Sequence, residues 1–185
     1  MARTAAPRRR RRLPDEFGIP NEAIRYRIGE SSLGPVLVAS SEKKVVAILI
    51  GEDPDRLVHD LQKRFPRGHL VRAGEDVDGQ VARVVDYIEA PEGRLEVELD
   101  LRGTDFQRRV WQAIREIPAG RTSSYSQIAH AVGIPRASRA VGSACANNNL
   151  AFAVPCHRVL HKDGTPKTGH HWGMLSQQAL IDREA

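Results

Sequence analysis

The residues best suited to covalent chemistry lie in one pentapeptide, Pro155-Cys156-His157-Arg158-Val159. A cysteine with a histidine beside it suggests an activated thiolate, because the thiolate is the nucleophile and imidazole is the side chain that takes up a proton near neutral pH. Neighbours in an extended segment point to opposite faces, so a basic His157 is expected to reach Cys156 through a turn or a bridging water, oriented by a carboxylate. Asp105, Glu116, Asp163, Asp182 and Glu184 are the candidates in this half of the chain. Other readings compete. A free cysteine is often a small buried hydrophobe. A Cys/His metal site from Cys156, His157, His161, His170 and His171 has the residue types, but its spacing matches no zinc pattern and it lacks a second cysteine. Neither a metal nor any other cofactor is expected. A cysteine hydrolase would need turnover and an oxyanion hole.

The segments that must position this cysteine change character along the chain. Residues 1–20 are rich in Arg and Pro without periodicity, and read as a disordered basic tail. From Ile24 the pattern is β: Ile24, Tyr26 and Ile28 alternate, Val36-Leu37-Val38 follows Gly34-Pro35, and Val45 to Ile50 makes a third, buried-looking strand. Helices are predicted over Asp55–Phe65 and Asp78–Ile88, and the alternation of Leu95, Val97, Leu99 and Leu101 predicts an edge-like strand. No chemical constellation stands out in residues 21–102, which are assigned a scaffold role. From Thr104 the pattern turns helical. Thr104 and Gln107 make a capping-box pair ahead of Phe106, Val110, Trp111 and Ile114. Ser124 can cap a short helix that Gly133 stops, and Pro135 suits the first turn of a helix from Arg136 to about Ala146. This is helix-turn-helix spacing. Its second helix is built of small residues (Ala137, Ser138, Ala140, Gly142, Ser143, Ala144), with Arg139 the one long side chain expected from its middle.

Charge sharpens the division. The 185 residues carry a net +5, but Arg3 and Arg8 to Arg12 supply +6 within the first twelve. Residues 13–103 hold 12 basic against 18 acidic side chains, and residues 104–185 hold 10 against 5. If a folded part meets phosphate, it is the second half. Two cysteines make no disulfide framework and suit a reducing compartment, so a cytoplasmic protein is expected. The longest aliphatic run, Val45 to Ile50, is far short of the roughly 20 residues of a membrane helix.

The pentapeptide resembles the signature of the O6-alkylguanine-DNA alkyltransferases. The likeness extends to Arg139-Ala140-Val141-Gly142, Ser124-Tyr125-Ser126-Gln127, Phe106 to Trp111 and Gly-x-x-Trp-Gly at Gly169 to Gly173. Leu99 to Thr104 and the closing Arg183-Glu184-Ala185 resemble the alkyltransferase part of bacterial Ada proteins in particular. The resemblance implies an α/β, ribonuclease-H-like domain over 21–102, then a mostly α domain over 103–185 with a winged-helix-like helix-turn-helix. It implies single-turnover repair of O6-alkylguanine, and of O4-methylthymine, in duplex DNA by irreversible alkyl transfer to Cys156. His157 would act through a water, Glu184 would orient it, Asn148 would be a hinge, and Tyr125 would supply a proton at the flipped base. Arg139 would fill the space that base leaves, and backbone carbonyls at Cys156 and Val159 would receive the guanine amine. Gln107, Ser126, Arg136, Ala140, Gly142, Lys162, His170 and His171 complete the implied DNA and substrate contacts. The protein is expected to act as a monomer, with cooperative assembly on DNA left open. The rival within the family is a lesion-flagging protein that accepts no alkyl group; such proteins usually lack the cysteine. The chain departs from the pattern in a loop one residue longer between Cys156 and Gly169, in His170 where a Tyr is usual, and in Gln177 where a basic residue is frequent.

Overall fold

The computed structural model describes residues 19–74, 77–165 and 177–185. Residues 1–18 of the basic tail, His170, His171 and the Gly169–Gly173 motif lie outside them.

Three hairpin-connected strands open the fold: β1 (Ala23–Ser31), β2 (Gly34–Ser41) and β3 (Lys44–Ile50). β2 and β3 are buried almost throughout because both faces of the sheet are covered. Helix α1 (Pro54–Arg64) then crosses over to β4 (His69–Arg72), which pairs parallel to β1 and completes the order β3-β2-β1-β4. Asp53 caps α1 and Pro54 fits its first turn, where no amide hydrogen bond is lost. α1 packs Leu57, Leu61 and Phe65 against one sheet face with Ile24, Leu37 and Leu49. Helix α2 (Asp78–Glu89) covers the other face, and its Val81, Val84 and Ile88 join a core shared with the second half of the chain. The expected helices thus appear within one or two residues of their predicted bounds. β4, only four residues long, was not anticipated.

The predicted strand over Leu95–Leu101 is a correction. The segment is extended and its apolar side chains face the core, but it makes a single bridge, Val45 to Leu99. The Val45 amide donates to Glu98 and the Asp100 amide to Val45. Further along β3 the same edge is taken by Asn149 and Ala151, which exchange backbone hydrogen bonds with Ile48. Two short segments share the edge, so neither forms a full ladder. Arg102 locks the first in place through paired bonds to Glu22 at 2.6 Å and one to Asp100 at 2.7 Å.

The second half holds α3 (Asp105–Arg115), β5 (Ser123–Ser124), α4 (Tyr125–Ala131), α5 (Ser138–Ala146), a single 3-10 turn at Cys156–Arg158, β6 (Val159–Leu160) and α6 (Gln177–Arg183). Reciprocal capping boxes start α3 (Thr104 with Gln107) and α4 (Ser124 with Gln127). Gly133, at φ +78°, ends the α4 region. The next helix begins two residues later than predicted. Pro135 and Arg136 form a reverse turn closed by the Ala137 amide on the Ile134 carbonyl, so α5 starts at Ser138. Arg139 therefore stands in its first turn rather than its middle. The Trp111 indole, 2% exposed, donates to the Ala144 carbonyl and fixes α3 against α5.

A Cβ at Gly103 would lie 2.6 Å from the Trp111 ring and 2.8 Å from the Gln107 amide oxygen. That ring cannot retreat, so Gly103→Ala should destabilise the protein by about 1–3 kcal/mol. Urea unfolding measures it, and an unshifted midpoint would mean the Trp111 packing is loose.

Candidate active site

Cys156 sits at the start of the 3-10 turn, not in an extended segment, and is 2% exposed. The turn carries the Cys156 amide onto the Val154 carbonyl and the Arg158 amide onto Pro155. Asn148, buried at the end of α5, holds the run into it. Its side-chain nitrogen donates to the Val154 carbonyl (2.9 Å) and lies 3.3 Å from Cys156 Sγ, while its oxygen accepts from the Leu150 amide. Burial pushes the Cys156 thiol well up, the neighbouring Cys145 adds to this, and the Asn148 contact opposes it.

Of the five candidate carboxylates, the structure brings Glu184 to the histidine. Its Oε1 lies 2.7 Å from His157 Nε2 and accepts from Arg158 at 2.9 Å. Its Oε2 accepts from Arg158 Nε at 2.9 Å and the Gly120 amide at 3.3 Å. Burial alone would raise the Glu184 carboxyl, but the hydrogen bonds from His157 and Arg158 outweigh it and bring it down to about 2. Burial lowers the His157 pKa against the pull of Glu184, so the imidazole is neutral at pH 7. A carboxylate only accepts, so Nε2 carries the proton and Nδ1 is the basic nitrogen. Gly120 must be glycine here: its φ is +70°, and a Cβ would come 3.0 Å from the Glu184 carbonyl.

Three contributors to this network carried no functional expectation. Arg158 lies within the pentapeptide, yet it is 3% exposed and also donates to the Ile117 carbonyl (2.5 Å) and the Tyr87 hydroxyl (3.0 Å). Nothing in the sequence marks its side chain as buried. Tyr87 belongs to α2, in the half assigned to scaffolding; nothing in its sequence neighbourhood marks it. Gln177 donates to the carbonyls of His157 (2.8 Å) and Val159 (2.7 Å). The Val159 carbonyl is thus already engaged, and a guanine amine there would have to use its second lone pair.

The parallel pairing of β5 with β6 sets the start of α4 beside the residues after the cysteine. Tyr125 and His161 come together, ring centroids 5.5 Å apart. They line a cavity of about 560 Å³ with Ser126, Arg139, Gly142 and Lys162. Burial and the two nearby thiols raise the Tyr125 pKa, so the phenol keeps its proton. Arg139, Ala140 and Arg136 are exposed on the α5 side. Gln107 stands apart: it is buried, and its side chain is spent on capping α3. Among the described residues no cluster of three or more His, Cys, Asp or Glu gathers as a metal site, and no helix is long and apolar enough to cross a membrane.

Residues 105–185 match the family model described as "6-O-methylguanine DNA methyltransferase, DNA binding domain". The chain is 45% identical over 168 residues to the bifunctional transcriptional activator/DNA repair enzyme Ada of Escherichia coli, covering 91% of this chain and 47% of that protein. It therefore spans about half the length of the Ada relatives it matches. It is 38% identical to a methylated-DNA–protein-cysteine methyltransferase of Mycobacterium bovis, covering 87% of this chain and 92% of that one. Among solved structures it superposes on the Mycobacterium tuberculosis OGT in complex with DNA with a TM-score of 0.70 at 36% identity, over 86% of this chain and 92% of that one. A likeness of 38% identity spanning nearly the whole of an independent relative establishes that the chain belongs to the methylated-DNA–protein-cysteine methyltransferase family.

Proposed function

We propose that the protein repairs O6-alkylguanine in duplex DNA by moving the alkyl group irreversibly onto Cys156. The observation that carries this reading is a pair of contacts at adjacent residues, Asn148 on Cys156 and Glu184 on His157, with Cys156 near enough to Tyr125 to raise its pKa and Tyr125 lining a cavity together with Arg139. The thiol proton passes through a bridging water to His157 Nδ1, and Glu184 stabilises the imidazolium that forms. Cys156 Sγ attacks the alkyl carbon in line, the C–O6 bond breaks, and a proton from Tyr125 reaches the departing guanine. Sulfur keeps the alkyl group as a thioether, so each molecule acts once.

Access to the base requires it to leave the stack, at a cost of a few kcal/mol. The small residues of α5 suit close approach to a narrow minor groove, and exposed Arg139 would enter the stack in place of the extruded nucleotide. Arg136, Ala140, Gly142, Ser126 and Lys162 would contact the backbone or groove around it, together with His170 and His171. Gln107 would act indirectly, by fixing the start of α3. We assign residues 21–102 to a ribonuclease-H-like domain, 103–185 to the DNA-binding and alkyl-accepting domain with a winged-helix-like helix-turn-helix, and 1–20 to a basic tail. O4-methylthymine is the second substrate of this reading.

Intact mass after mixing with an O6-methylguanine duplex tests it first. One methylene should be gained on the Cys156 peptide, with no second turnover and none in Cys156→Ala. Tight lesion binding without a mass change would favour the lesion-flagging alternative. Arg139→Ala should slow repair of duplex DNA at least tenfold while leaving the reaction with free O6-benzylguanine nearly intact, and equal losses would remove the intercalating role. Glu184→Gln should slow transfer by about 10²-fold. Because the Glu184 pKa falls from 4.5 to about 2 in the folded protein, its stabilising effect is complete above pH 4.5 and fades as the pH drops toward 2. The stability gap between wild type and Glu184→Gln should narrow over that window; a gap independent of pH would mean the carboxylate is not held as described.

A further inference from the structure

A second cavity of about 460 Å³ opens between the end of α2, the end of α3 and residues 152–158, and shares no lining residue with the Tyr125–Arg139 cavity. Its walls mix apolar surface from Ile117, Phe152 and Pro155 with guanidinium groups from Arg94, Arg115 and Arg158. Two of these arginines are matched. Arg158 is paired with Glu184, and exposed Arg94 lies 3.1 Å from Glu116 at the rim. Arg115 is not: its Nε is buried with no hydrogen-bond partner, and no ion pair of Arg115 occurs among the described residues. Burial and the Arg94 charge lower its pKa, with Glu116 and Glu96 opposing only in part. A buried donor that nothing satisfies is unfavourable, and the planar fork of a guanidinium is shaped for an oxyanion.

We propose that this cavity is a binding site for a small amphipathic carboxylate, its anionic group on Arg115 and Arg94 and its apolar body against Ile117, Phe152 and Pro155. The volume lies in the range of small-molecule sites, and a few polar groups set in apolar walls are their usual make-up. A monoanion fits better than a dianion, since Glu116 at the rim and Glu184 behind Arg158 offset most of the positive charge. An occupant would rest on Pro155 and Arg158, the residues on either side of Cys156 and His157. The site is independent of the methyl-transfer reading, and binding is measured without it.

The test is a titration of the full chain with benzoate, followed by heteronuclear NMR, with benzyl alcohol and inorganic phosphate as comparison probes. Benzoate should saturate with shifts centred on Ile117, Phe152 and Arg115, and both other probes should bind at least tenfold more weakly. Arg115→Gln should raise the benzoate Kd at least tenfold while leaving methyl transfer unchanged. Should that variant fail to fold, Ala119→Glu, which sets a carboxylate at the cavity wall, should weaken benzoate to a similar degree. Benzyl alcohol binding as tightly as benzoate would reduce the cavity to an apolar void. Phosphate binding more tightly than benzoate, no saturable shifts at the lining residues, or an unchanged Kd in the variants would each overturn the proposal.

Discussion

A single buried carboxylate governs the geometry around Cys156. Glu184 receives His157, the Nε and Nη2 edge of Arg158 and the Gly120 amide, so it binds the last turn of the chain to the 3-10 turn and to the loop after α3. Unpaired, such a group would be strongly disfavoured in a dry interior. With four donors around it, the charge becomes an organising centre. The polarity of the histidine follows, because a carboxylate that can only accept leaves the other imidazole nitrogen as the base. Arg158 extends the same constraint to Tyr87 on α2, so the orientation of the histidine depends on residues about 100 positions apart.

The two halves of the chain are joined by more than apolar contact. β3 would be an open sheet edge if the 98–100 and 149–151 segments did not hydrogen-bond to it. The second of these segments leads from Asn148 to Cys156, so the 3-10 turn is hung from the sheet of the other half. Arg64 at the end of α1 reinforces the join by donating to the Asn149 side chain at 2.5 Å. Phe152 takes up a left-handed backbone conformation between these anchors, at φ +63°. The apparently inert half therefore sets where the cysteine sits.

The parts of this arrangement that were legible in the sequence are those written in local patterns. The strand alternation from Ile24 to Ile50, the apolar faces of α1 and α2, and the capping pairs of Thr104 and Ser124 depend on residues a few positions apart. The pentapeptide and its surrounding motifs named the cysteine, the histidine and the closing glutamate. What stayed hidden was non-local. β4 and the β5–β6 pair are too short to show a period, and their register comes from distant partners. The strand predicted over Leu95–Leu101 has the right alternation, but burial of one face, not a ladder, produced it. Arg158 and Tyr87 could not be linked, because nothing local indicates that two polar side chains so far apart will meet inside a core. The start of α5 was misjudged because Pro135 suits both the first turn of a helix and a reverse turn, and the Ala137 amide decided in favour of the turn.

The depth at which Cys156 lies also bears on how long the molecule keeps its capacity to act. Thiolates are what peroxides and stray electrophiles consume, and a sulfur that is protonated and enclosed presents little of that form to solvent. If the protein acts once, as proposed, premature oxidation or capping would be as final as the reaction itself. Burial that slows the sulfur in the resting molecule thus acts as storage. On the proposed mechanism the thiol would stay unspent until a substrate brings its electrophilic carbon to it.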